Sequence, residues 1–175
     1  MNYLKGVLGV FVLVLMIFVG VNGWTAEKTV VLGYTAPLSG PGADYGRDCV
    51  NGVDMAVNEI NKAGGIMVKG QKVVFKLEKL DDRIDPTQAV NNSRRFRDQY
   101  KAPAIYNPVT NTLLPMMQIN QEKGNEFMVM AYTSTPQVTN LKNKLVVAIP
   151  PNFEVYVKAF SDIAWGQGSR KAAMV

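Results

Sequence analysis

Three short segments of this 175-residue chain gather side chains suited to binding a small polar ligand. Each follows an apolar run and is rich in hydroxyls, amides and tyrosine: residues 38–45, 106–112 and 131–136. Hydroxyls such as those of Thr110 and Ser134, together with the free amides that open a helix, donate hydrogen bonds to an anion, and the helix dipole favours negative charge there. The rings of Tyr45 and Tyr132 supply walls. This is the chemistry of binding rather than bond-making, because no nucleophile–base pair is visible. The chain contains no histidine, which removes the commonest general base and the commonest zinc ligand. No cofactor or metal set stands out.

Two enzymatic readings carry less weight. Asp81-Asp82 closes an apolar run and invites comparison with a Mg²⁺ site for phosphoryl chemistry, but a lone acidic pair needs further ligands. It also precedes a Pro-started helix, where carboxylates are expected at the positive end. Gly40-Pro41-Gly42 with Gly46 misses the dinucleotide fingerprint by one residue and places Pro in the phosphate turn, and the Lys-Ser/Thr of a P-loop is missing too.

The elements that must position these loops alternate. Strands are predicted over 29–35, 72–80, 104–106, 127–130, 145–149 and 172–175, and helices over 44–63, 86–100, 111–123 and 153–165. In the first helix Cys49, Val53, Ala56, Val57 and Ile60 recur at helical spacing, and Gly64-Gly65 offers the positive φ that ends a helix cheaply. Asp85-Pro86-Thr87-Gln88 reads as a capping-box start. Pro115 is expected to fall in the first turn of its helix. Apolar strands alternating with helices predict an α/β fold with a parallel sheet covered by helices on both faces. In such a sheet ligands bind at the carboxyl ends of the strands, which is where the three loops lie.

The N-terminus resembles an export signal. Residues 1–23 hold one base, Lys5, no acid, and an apolar run from Val7 to Val21, shorter than the ~20 residues of a membrane span. Cleavage is placed after Gly23, in preference to a retained anchor. The formal charge then falls from +5 to +4, 18 basic against 14 acidic side chains, a solubility feature rather than a nucleic-acid footprint. Arg94-Arg95-Phe96-Arg97 reads as a solvated helix face with Phe96 turned inward. Cys49, the single cysteine, excludes an intramolecular disulfide and fits a small hydrophobe.

The strings GYTAPLSGPGADYG (33–46), GVDMAVNEINKAGGI (52–66) and LDDRIDPTQAV (80–90), in that order, resemble the periplasmic branched-chain amino acid-binding proteins, substrate-binding subunits of ABC importers. The resemblance implies a two-lobed protein that binds an amino acid or small carboxylate in the periplasm and hands it to a permease, touching the membrane only through its signal peptide and that docking. It places Thr110 on the ligand carboxylate, Ser134 on carboxylate and ammonium, the Tyr132 carbonyl on the ammonium, and Tyr45 as an aromatic wall. Three departures stand out. Ile84 and Val109 occupy positions where a member of that family pairs two cysteines, Asn107-Pro108 replaces small residues, and Tyr132 replaces a small residue. The organisation expected is a signal peptide over 1–23, an incomplete first lobe over 24–150 and the start of a second lobe over 151–175. A chain stopping in a predicted strand suggests truncation of something longer. The rival readings are a fragment without function and a ligand-sensing ectodomain of the same fold.

Overall fold

The computed structural model describes residues 27–140 and 142–173; the export-signal reading of residues 1–23 lies outside them. Eleven elements follow in order: β1 (Lys28–Ala36), α1 (Ala43–Lys62), β2 (Ile66–Val68), β3 (Gln71–Asp81), α2 (Pro86–Asp98), β4 (Ala104–Asn107), α3 (Thr110–Ile119), β5 (Met128–Ala131), α4 (Pro136–Asn140), β6 (Val146–Ala148) and α5 (Phe153–Gly166). They form one six-stranded sheet in the order β2-β3-β1-β4-β5-β6. Every pairing is parallel except β2 with β3. The expected α/β parallel architecture is therefore present.

Alternation along the strands sorts the side chains to two faces. On one face, Ile105, Val129 and Ala131 pack with Ala89 and Phe96 of α2 and with Leu113, Met116 and Met117 of α3. This is the main core. A Cβ at Gly33 would lie 2.7 Å from the Phe96 ring, so β1 needs glycine for α2 to seat. On the other face Tyr34, Ala36 and Val50 form a smaller cluster under α1, joined by Leu77 and Tyr106.

Local chemistry sets the element ends. Asp85 accepts the Gln88 amide at 3.0 Å, with Pro86 as the first helical residue. Only half of the expected capping box forms, because the Asp85 amide donates instead to the Asp82 carbonyl at 2.7 Å. Gly65, at φ 78°, donates to the Ile60 carbonyl at 2.8 Å and closes α1. Phe96 is fully buried next to the exposed Arg94 and Arg95, as its pattern suggests, whereas Arg97 is half-buried and pairs with Asp98 and Glu122.

Several expectations are corrected. Of the residues expected on the inner face of α1, Val57 is buried and Cys49 and Val53 are half-buried against the Tyr34 cluster, whereas Ala56 and Ile60 are exposed; Ala43, Gly46 and Val50 complete the buried stripe. Pro115 is the sixth residue of α3, not a first-turn residue. Its missing amide leaves the Asn111 carbonyl without its helical donor, and Asn111 is exposed, so water can serve it. The hairpin strand β2 was missed because its three residues are exposed and short; Lys69 and Gly70, at φ 50° and 79°, make its turn. The short helix α4 was missed as well. Residues 172 and 173 are not strand, and the rest of that predicted strand lies outside the described residues.

Candidate functional site

The carboxyl ends of β1, β4 and β5 open onto one cleft of about 590 Å³. Tyr45, Thr110, Tyr132 and Ser134 all border it. Tyr45 enters from the first turn of α1, 46% exposed, and its hydroxyl donates to the Pro108 carbonyl at 3.3 Å. That bond ties the α1 entrance to the β4 loop. Burial beside Cys49 pushes the Tyr45 phenol up to about 12, so at neutral pH it is an uncharged donor.

Thr110 is the first residue of α3, and its Oγ1 lies 2.6 Å from Thr133 Oγ1. The β4 and β5 loops are thus latched through two hydroxyls. Val109, at the N-cap, has no side chain that can cap the helix. The amides of Thr112 and Leu113 turn back to the Val109 carbonyl; those of Thr110 and Asn111 have no acceptor among the described residues. Orphan donors at a helix start are suited to an anion. Ser134 offers its carbonyl to the Phe153 amide at 2.7 Å, and its hydroxyl has no protein partner among the described residues. The Tyr132 amide is used by the Asn107 carbonyl at 3.2 Å.

A buried polar cluster beneath the cleft holds these loops. Asn107 Oδ1 accepts the Val109 amide at 2.8 Å, while its Nδ2 donates to Thr112 Oγ1 at 3.0 Å and to Asp82 Oδ2 at 3.4 Å. Asp82 also accepts from the Thr35 hydroxyl at 3.2 Å and the Ile84 amide at 3.0 Å. Asn92 completes the cluster by donating to Thr35 Oγ1 and to the Asp81 carbonyl. The two adjacent carboxyls differ. Burial raises Asp82 above the ordinary range, against the pull of the Ile84 amide and the Thr35 and Thr112 hydroxyls. For Asp81 burial also pushes upward, but the Ser39 hydroxyl and the amides of Leu38 and Arg83 outweigh it and hold the carboxyl low. Asp81 and Asp82 therefore organise loops in different directions. Among the described residues, no group of three His, Cys, Asp or Glu side chains lies together to hold a metal.

Sequence reasoning missed Thr133, Phe153 and Tyr156, which also border the cleft. Thr133 lay in a segment already singled out, but only folding shows that it meets Thr110. Asn107 counted as a departure from the family pattern, and folding makes it the organiser of the β4 loop. Ile84 and Val109, which stand at the cysteine positions of the resemblance, both border the cleft.

The strand ends of this mostly parallel sheet thus present hydroxyls, helix amides and tyrosine rings around one cleft. The chain belongs to the periplasmic binding protein family, whose pattern matches residues 29–175. One curated relative, the Leu/Ile/Val-binding protein BraC3 of Rhizobium johnstonii, is 36% identical over 115 residues, which make up 65% of this chain and 30% of that relative. The chain spans about 30% of the length of the curated relatives it matches. A possible leucine/isoleucine/valine-binding protein from Rhodopirellula baltica shares the fold at TM-score 0.70 and 22% identity, over 84% of this chain and 38% of that one. The LivJ protein of Streptococcus pneumoniae, solved in complex with isoleucine, aligns at TM-score 0.61 and 21% identity, over 71% of this chain and 34% of that one.

Proposed function

We propose that this chain carries the first lobe of an extracytoplasmic substrate-binding protein that serves an ABC importer. Its ligand is a branched-chain or related amino acid, or a small carboxylate, and it delivers that ligand to a permease. The single observation that carries the reading is the set of donors at one cleft edge: the Thr110–Thr133 hydroxyl pair, with the Ser134 hydroxyl and the amides of Thr110 and Asn111, which have no partner among the described residues. Such donors suit a carboxylate and offer nothing that breaks bonds. The names of its relatives point to the same ligand class. In this reading Thr110 and Ser134 hold the carboxylate, the Tyr132 carbonyl meets the ammonium, and Tyr45 walls the site. Residues 1–23 act as a cleaved signal peptide that sends the protein to the periplasm. Residues 151–175, with α5, begin the second lobe, and closure of the lobes around the ligand is the signal read by the permease.

Calorimetry of the protein purified from its native host, against aliphatic, aromatic and polar amino acids and simple carboxylates, tests the reading. Binding by at least one carboxylate is expected, and silence across the panel would sink it. Thr110→Ala is expected to weaken that binding by about 1–3 kcal/mol, the usual scale for leaving a charged partner short of a hydrogen bond. Unchanged affinity would remove Thr110 from the site.

A further inference from the structure

We propose that the ligand of this cleft carries a planar aromatic ring, which seats on Tyr132 and extends a stack of tyrosine rings crossing the sheet. The inference rests on the carboxylate-binding reading above and names the other end of the ligand.

Three rings stand in sequence on one sheet face. Tyr34 of β1 sits opposite Tyr106 of β4 in the parallel register, and their centroids are 5.5 Å apart with 16° between planes. Tyr132, just past the end of β5, follows at 6.2 Å and 24°. Both spacings lie within the range of offset-stacked aromatic pairs. The stack is anchored at its inner end, where Tyr34 is fully buried and its hydroxyl donates to the Gly46 carbonyl at 2.6 Å. It opens at its outer end, where Tyr132 is 42% exposed and borders both the cleft and the neighbouring groove on the α1 side.

The other rings of the lining agree with a flat apolar group: Tyr45, Phe153 and Tyr156 add aromatic surface to the same cleft. A branched aliphatic side chain gains burial against these rings, as an aromatic one does. Only the aromatic one adds the quadrupole contribution of stacking, and it does so against a ring already stacked on Tyr106. Tyr132 is therefore the residue that sets specificity, while Thr110 and Ser134 take the carboxylate common to all candidates.

The test is a titration of the native-host protein with benzoate, phenylalanine, leucine and isoleucine, each by calorimetry. At least one of the two aromatic carboxylates is expected to bind about tenfold more tightly than either aliphatic amino acid, the scale of one or two stacked contacts. Tyr132→Ala should lose about tenfold in aromatic affinity, while Tyr132→Phe, which keeps the ring, should hold it. Leucine or isoleucine binding more tightly than both aromatics overturns the ring and leaves the carboxylate reading standing. Equal loss in Tyr132→Ala and Tyr132→Phe overturns the stacking role as well. If none of the four binds but another carboxylate of the wider panel does, the ring again fails alone. Silence across that whole panel overturns both. The ranking of ligands by the unmodified protein decides the matter even if a variant folds poorly.

Discussion

Asp81 and Asp82 are neighbours in the chain whose carboxyls shift in opposite directions, and the difference is one of surroundings. Asp82 points into the cluster with Thr35, Asn92, Asn107 and Thr112, where burial favours its neutral form. The folded protein therefore retains a proton that the unfolded chain releases near the ordinary value of 3.8. Its contribution to stability is fully present below that value and is lost as pH rises through the raised folded value, remaining absent above it. The stability advantage of the unmodified protein over Asp82→Asn should therefore shrink as pH rises from about 4 toward neutrality. Urea unfolding at several pH values checks this, and a difference that stays flat with pH would count against it. Asp81 behaves in the opposite way. Its lowered carboxyl supports the fold at neutral pH, and that support fades as pH falls through its folded value. The sequence showed two adjacent acids at a strand end. It held no sign of which one turned inward, because that depends on Asn92 and Asn107 arriving from other elements.

Among the elements, the start of α1 is the most constrained. A Cβ placed on Gly46 would lie 1.8 Å from the Pro37 carbonyl oxygen, well inside any contact distance, and the Tyr34 hydroxyl already donates to the carbonyl of the same glycine. Gly46→Ala is expected to destabilise the protein by about 1–3 kcal/mol or more, since the helix start must retreat from the β1 loop. Chemical denaturation measures it. A loss below about 0.5 kcal/mol, the size of an ordinary surface change, would show that the loop yields freely. Hydrophobic spacing placed Cys49, Val53 and Val57 on the inner face of α1, where they lie, but also Ala56 and Ile60, which are exposed, and it passed over the buried Val50. The ends of α2 were legible, because Asp85 and Pro86 act locally on the helix they begin. The length of α3 was not, because Pro115 is tolerated where its lost partner is exposed to water.

Across the whole molecule, the two faces of the sheet are unequally covered. The face beneath α2 and α3 is closed, whereas on the α1 side a groove of about 570 Å³ runs between Cys49, Val53 and Ala56 and the side chains of Tyr106, Met130 and Ile149. Met128 and Val147 on that face are 40% and 39% exposed, and α5 buries none of its side chains. Contiguous apolar surface of this kind, next to the short edge strand β6, favours association. The apparent mass of this 175-residue chain by light scattering is expected to rise with its concentration, and Val147→Lys should reduce that rise while leaving the unfolding midpoint nearly unchanged. Equal scattering from both would place the association elsewhere. Sequence alone determined the alternation of strand and helix, the parallel sheet, the three hydroxyl-bearing loops and their position at the strand ends. These follow from periodicity, capping and turn chemistry, all of which act within a few residues along the chain. Only the tertiary structure decided that Thr110 meets Thr133, that Asn107 and Asp82 hold the loops from below, and that three tyrosines from β1, β4 and the end of β5 stand in one stack. Those contacts join residues 23 to 72 positions apart, and they come into being only when parallel strands set their register side by side.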